Sequence, residues 1–382
     1  MSRHHYWVPG AFLLAAVAGC SDTTGPDQTP AVGPGLATAA AAPAFYQVSA
    51  GEYHSCAVTT DNHAYCWGYN GKGQLGDGTT TDRHTPVAVA GGLRFHAIST
   101  GQGNTCGVTT DFRAYCWGDN VLGQVGDGST TQRLRPVAVA GGHLFRQVDV
   151  AFEHACGVTY PDPARVYCWG AGGQGQLGNG STANHSTPVA VSGSVTMWQV
   201  SVGYFHSCAV NTSNIAYCWG GNRSGELGDS SSAVTRSTPS RVAGAHAFRT
   251  LDAGAHHTCA VTTGNRAYCW GYGKGGQLGN GHAYLSFWPR AVSGGLSFER
   301  VSASVYQSCG ETTANRPYCW GGMNRLTPVA VPGNFFFVQV SAGGTHACGK
   351  TNASVAYCWG ENFSGQLGDG TTTYRSTPVR VR

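Results

Sequence analysis

The chain is poor in charge. Only 11% of its 382 residues are Asp, Glu, Lys or Arg, the basic ones form no runs, and the formal net charge is +4. That removes the electrostatic footprint of a nucleic-acid binder, so no nucleic acid is expected as a partner. The 19 acidic residues are spread over the whole length, and neither a paired-carboxylate site nor a Ser-His-Asp constellation can be assembled from them. The sequence is therefore read as non-enzymatic, with no cofactor. A C-x-x-C motif is also missing, which takes away the thioredoxin-like redox centre. The most apolar stretch, "AFLLAAVAGC" ending at Cys20, is too short to cross a bilayer.

That stretch follows a charged start, and residues 1–19 read as an export signal. Val17-Ala18-Gly19-Cys20 resembles the lipobox of bacterial lipoproteins, and the resemblance implies lipidation of Cys20 after cleavage. Cys20 as an ordinary residue near a secretory cleavage site stays open. Residues 20–44 are rich in Pro, Gly, Thr and Ala without helical or strand period, as expected of a flexible tether. The chain is expected to be exported and lipid-anchored to the cell envelope. Ser21, by resemblance to known lipoproteins, points to the outer membrane.

From residue 45 to 382 the chain repeats itself. The stretch "SCAVTTDNHAYCWG" at Ser55–Gly68 returns six more times, and the first cysteine of each copy falls at Cys56, Cys106, Cys156, Cys208, Cys259, Cys309 and Cys348. The sixth copy is about eleven residues short. Segments like "FYQVSAG", "HSCAVTT", "AYCWG" and "TPVAVA" read as four short strands per copy. Four strands recurring about every 50 residues predict an all-β fold, a seven-bladed β-propeller with four-stranded antiparallel blades. Whether the last strand stays in its own blade or zips into the first is left open.

The unit "VSAGEYHSCAVTTDNHAYCWGYNGKGQLGDGTTTDRHTPVAV" resembles the repeat of the regulator of chromosome condensation family, with its G-x-x-H-S, Trp-Gly-x-Asn and Gly-Gln-Leu-Gly-Asp-Gly segments. The resemblance implies a seven-bladed propeller. For activity it implies two different things. The eukaryotic founder of the family is a nucleotide-exchange factor that binds chromatin, while secreted bacterial members include protein inhibitors of β-lactamases.

Fifteen cysteines less Cys20 leave two per copy in a chain read as exported, which favours disulfides. Cys56 and Cys66 flank a turn centred on Asp61, and a three-residue turn would set them opposite one another on neighbouring strands. The expected pairs are Cys56 with Cys66, Cys106 with Cys116, Cys156 with Cys168, Cys208 with Cys218, Cys259 with Cys269, Cys309 with Cys319, and Cys348 with Cys358. In the third copy the "YPDPAR" insertion is even in length and preserves the opposition. Free buried thiols, or a metal or redox role, are the competing readings; structural zinc prefers C-x2-4-C spacings.

Tyr65 and Trp67 recur in every copy and are expected to pack between blades. His54, His154, His206, His257 and His346 precede the first cysteine by two, with Asn104 and Gln307 in the other copies. A hydrogen-bonding role is expected of them rather than a metal ring, and no metal site is assigned. The Asp of "LGDG" could suggest calcium, but tight Gly and Asx turns explain it.

The turn after the first strand and the loop after the third emerge on one rim, here termed the top face. The short turns there differ between copies: Glu52-Tyr53, Gln102-Gly103, Phe152-Glu153, Tyr204-Phe205, Ala255-His256, Val305-Tyr306 and Gly344-Thr345. Tyr53, Phe152, Tyr204, Phe205, His256 and Tyr306 stand where Gly, Asn, Asp or Ser would be ordinary, and are the candidate partner-binding residues. The resemblance points the same way, since the inhibitory bacterial members bind through aromatic loops of one face. Rings that fold down and cap the channel are the competing reading. The expected function is a monomeric macromolecule-binding propeller whose partner is a protein or a glycan of the envelope or exterior. A carbohydrate-binding propeller and an exchange-factor-like activity are the alternatives, the latter disfavoured because a GTPase would be cytosolic. The short sixth copy should leave a notch in the rim that orients the partner.

Overall fold

The computed structural model describes residues 43–193, 196–322 and 325–382. The proposed signal at 1–19, the lipidation site Cys20 and nearly all of the tether lie outside the described residues. The rest is strand and turn: 28 strands in seven sheets, each sheet made of four consecutive antiparallel strands. No helix long and apolar enough to cross a membrane occurs among the described residues.

Burial explains the order of strands within a blade. In the first, β1 (Phe45–Ala50) alternates between buried and more exposed positions, and β2 (His54–Thr59) is buried throughout because neighbours cover both its faces. β3 (Ala64–Gly68) carries the Tyr-Cys-Trp-Gly segment, and β4 (Arg83–Ala88) has no buried residue, its positions being exposed or half-buried. That outer strand contains a proline in every blade, Pro86 in the first and Pro378 in the last, which blunts the sheet edge against further pairing. Between β2 and β3 the backbone N–H of Thr59 donates to His63 O, closing the three-residue turn with Asn62 at φ 68°. The closure places Cys56 opposite Cys66 at a Cα separation of 4.0 Å, and all seven expected pairs form disulfides. The third blade keeps the opposition of Cys156 and Cys168 across its longer hairpin.

Each disulfide serves the contact between blades. Cys56, Cys66 and Leu75 of the first blade form one buried cluster with Phe95, Ile98 and Trp117 of the second. Trp117 Nε1 donates to Gln74 O at 2.9 Å, and a Cβ at Gly76 would stand 2.6 Å from that nitrogen, so only glycine, here at φ +69°, lets the loop approach. The histidines lie in the same seam. His54 Nε2 meets Thr105 Oγ1 at 2.9 Å, and the threonine hydroxyl spends its one proton on Gln74 O at 2.8 Å. The imidazole must therefore donate from Nε2. Equivalent pairs join His154 to Ser207, His206 to Thr258, His257 to Ser308 and His346 to Ser55. Burial lowers all five pKa values to about 3, so the rings are neutral. Where histidine is replaced, so is its partner: Asn104 faces the Ala155 position and Gln307 the Ala347 position.

The ring closes without a shared strand. β28 (Arg375–Arg380) stays in the seventh blade beside β27 (Ala356–Gly360), so each repeat is one blade. Closure comes from the innermost strands, where one side chain per blade accepts a backbone N–H of the next. Ser49 takes Thr100 N, Ser99 takes Val150 N, Asp149 takes Val202 N and Ser201 takes Ala253 N. Asp252 takes Ala303 N, Ser302 takes Ala342 N, and Ser341 takes Ala50 N across the join. This hoop lines the central channel.

Candidate functional site at the top face

In each blade the turn after the first strand is tied to the loop after the third by a backbone bond, such as Tyr69 N to Tyr53 O at 2.9 Å and Gly221 N to Phe205 O at 2.7 Å. Turns and loops therefore share one rim, as the meander requires. The loops are held from within. Asn70 Oδ1 accepts the backbone N–H of Leu75, while its Nδ2 donates to Thr79 O and Thr81 O. Asp77 accepts from Thr79 and from Arg83, the latter at 2.8 Å. Burial pushes the Asp77 carboxyl up, but Thr79 and Arg83 outweigh it and hold the group below its ordinary value. The acidic residue of the "LGDG" turn is thus spent on its own loop.

The six candidate residues divide. Phe152, Tyr204, Phe205 and His256, from three successive blades, form one aromatic cluster: Phe152 to Tyr204 at 5.0 Å between centroids, Tyr204 to Phe205 at 6.2 Å, and Phe205 to His256 at 5.8 Å. Tyr53 belongs to a second group with Tyr69 at 6.4 Å and Phe363 at 6.0 Å, above blades one and seven. Tyr306 is 54% exposed and stands at the edge of a cleft between blades six and seven.

Tyr204 does two things. Besides joining the cluster, its hydroxyl reaches across the channel from blade four to donate to the Glu52 carboxylate of blade one, where Gln102 Nε2 also donates at 2.7 Å. Burial and the Glu52 contact push the Tyr204 phenol well above its ordinary pKa, and Glu52 with burial raises Tyr53 to about 12. Channel capping therefore accounts for Tyr204. Phe152, Phe205 and His256 remain half-buried on the rim. Beside them Glu226 replaces the glutamine found in most other loops, and its carboxylate lies 3.8 Å from His256 Nδ1. Burial raises the Glu226 pKa, but His256 and backbone donors more than offset this and hold it low. At this end of the cluster Phe205, His256 and the ionised Glu226 line a pocket of about 300 Å³.

Glu52 stands in the short turn Glu52-Tyr53 but is not among the six candidates, and Tyr69 and Phe363 escape a reading limited to those turns. The last two sit in the longer loops, Tyr69 directly after its Trp-Gly step and Phe363 three residues after its own, and an aromatic residue at a glycine-rich loop is the signal that could have found them.

The regulator of chromosome condensation (RCC1) repeat is matched at residues 45–74, 95–124, 199–226, 248–277 and 337–366 in one form, and at 61–108, 164–210, 214–261 and 355–382 in another. Among solved structures, Prp20p of Saccharomyces cerevisiae, described with its binding properties to Gsp1p and histones, is 17% identical, with 87% of each chain covered and a TM-score of 0.73. Human WBSCR16 is 20% identical, covering 88% of this chain and 82% of its own, at a TM-score of 0.61. The ectodomain of the Arabidopsis thaliana receptor kinase ACR4 is 18% identical, covering 89% and 99%, at 0.57. At these identities the likeness is one of fold.

Proposed function

The chain belongs to the regulator of chromosome condensation (RCC1) repeat family, and from that premise we propose that it is a non-catalytic binding propeller that grips a protein partner through its top face. The observation that carries this reading is the contiguous cluster of Phe152, Tyr204, Phe205 and His256, built at the positions where the repeats differ. Half-buried rings fixed on rigid loops supply contact area at little cost in conformational entropy. The Glu226–His256 edge adds polar specificity. Seven disulfides fit an oxidising compartment outside the cytoplasm. In the same reading residues 1–19 direct export, lipidated Cys20 anchors the chain to the envelope, and residues 20–44 set the propeller off from the membrane.

The experiment is capture of envelope and extracellular proteins by the whole mature chain, beside a folded variant carrying F152A, F205A and H256A. A protein retained by the parent and lost by the variant supports the reading. Equal retention by both moves the site off the cluster. Capture of no protein, with retention on a glycan array, replaces it with carbohydrate binding.

A further inference from the structure

Among the described residues, a loop fills six of the seven seams between blades, and one seam is left without it. In the filled seams the loop lays a glycine turn with a Leu or Val side chain against the next blade. Leu75, Val125, Leu177, Leu227, Leu278 and Leu367 are wholly buried there. The residue before the aliphatic one accepts the indole N–H of the next tryptophan, at 2.8–3.0 Å in all six. A loop N–H then donates to the outer strand of the next blade, as Gly78 N does to Leu134 O. In four blades an Arg at the start of the outer strand binds the loop Asp.

In blade six only three residues stand between Gly321 and Arg325 in sequence, and the Gly-Gln-Leu-Gly segment of the other loops is missing. Its seam with blade seven is a cleft of about 290 Å³, walled by Trp320, Val329, Val331 and Trp359. The fixed half of each contact remains. Trp359 is 8% exposed where the other six blade tryptophans are fully buried, and among the described residues no loop carbonyl accepts its indole N–H. Ser376, the counterpart of Leu134, lines the cleft, and among the described residues its carbonyl takes no loop N–H. Arg325 occupies the position of Arg83 and Arg133 and also lines the cleft, and among the described residues it has no carboxylate partner.

We propose that this cleft docks a loop of a partner protein: a glycine turn with an aliphatic residue at its tip and an acidic residue two positions later. The carbonyl before the tip takes the Trp359 N–H, the aliphatic side chain fills the space between the two tryptophans, and the carboxylate meets Arg325. Charge complementarity selects the acidic residue, and the six filled seams are the template for the rest. The chain's own turns of this kind are locked in their seams, so a second copy does not supply it. This site is separate from the aromatic cluster, and either can fail without the other.

The test uses the whole mature chain and a cyclised peptide of residues Asn70–Asp82, NGKGQLGDGTTTD, with the Trp359 indole ¹⁵N–¹H signal assigned by its loss in W359F. A chain with that loop grafted into blade six supplies the position of the fully occupied signal. The peptide is expected to move the Trp359 signal toward that position, saturably, at concentrations up to about 1 mM. Asp in place of the peptide's Leu, or R325E in the chain, should weaken the response about tenfold. The F152A, F205A and H256A variant should respond like the parent. An unmoved Trp359 signal at about 1 mM peptide, or an equal response to the Asp-substituted peptide, overturns the proposal.

Discussion

Around the channel, seven side chains hand one hydrogen bond each from blade to blade without a gap, whereas the outer belt of loops is interrupted between blades six and seven. The interrupted seam differs at several positions at once. Gln307 and Ala347 stand in place of the histidine–hydroxyl pair, and Glu311 occupies a position that is Val in the first five blades. Glu311 accepts Val340 N, a bond that Gln147 makes to Val200 N elsewhere and that Arg300, lacking an acceptor, cannot make here. The difference teaches that the inner hoop, with the buried cluster joining Cys309, Cys319 and Val331 to Phe337 and Val340, holds the two blades together without the loop. The rim is then free to lose a loop and expose what the loop covered.

The largest expected effect that sharpens this comparison is of acid. The five seam histidines have pKa values of about 3 when folded, below the ordinary value of 6.5 expected on unfolding. The unfolded chain therefore binds more protons between these limits. Stability should fall as pH drops from 6.5 toward 3, by up to about 1.4 kcal/mol per pH unit for each histidine. Asp252 and Glu311, raised to about 7 by burial, act in the opposite sense: their contribution is greatest at low pH and is lost as pH rises toward 7. Five histidines outweigh two carboxyls, so denaturant midpoints should decline on acidification. Amide exchange should accelerate least at the seams of blades two and three and of blades six and seven, which have no histidine pair.

Tryptophan truncation comes next. W219A removes a fully buried ring and its bond to Gln176 O and should cost about 3–5 kcal/mol in denaturant unfolding. W359A, at the open seam, where the described residues supply no such bond, should cost at least about 1 kcal/mol less. Equal costs would mean that the open seam is as tightly packed as the others.

Removing the Cys208–Cys218 bridge by a double change to Ala should cost about 2–3 kcal/mol from the short closed loop alone. The Cys309–Cys319 bridge closes a loop of equal length, so any smaller loss of thermal stability there measures how little the open seam adds by packing. The smallest effect belongs to the hoop, taken one link at a time. S341A leaves Ala50 N without its acceptor at the ring join and should cost about 1 kcal/mol. A loss no greater than that of the same change at Ser49 would show that the join is no weaker than any other link.

Much of the scaffold was readable because its determinants are local. The Cys56–Cys66 opposition follows from a three-residue turn, and Cys156 with Cys168 obeys the same parity. The aromatic turns were readable as exceptions to turn chemistry. Their grouping was not, because nothing near Phe205 in sequence says that His256 and Phe152 are its neighbours while Tyr53 belongs elsewhere. Nor does the chain around Tyr204 reveal that its hydroxyl ends on Glu52, 152 positions away.

The sequence by itself determined the period of the repeat, the four strands of each blade, the proline-marked outer edges and the cysteine pairing, since each depends on hairpin register over a dozen residues or fewer. Only the tertiary structure decided which blade meets which and what the seams contain. Curling seven sheets into a ring brings residues some fifty positions apart, and the two ends of the propeller, into contact. In that ring a missing loop leaves Trp359, Ser376 and Arg325 facing one cleft.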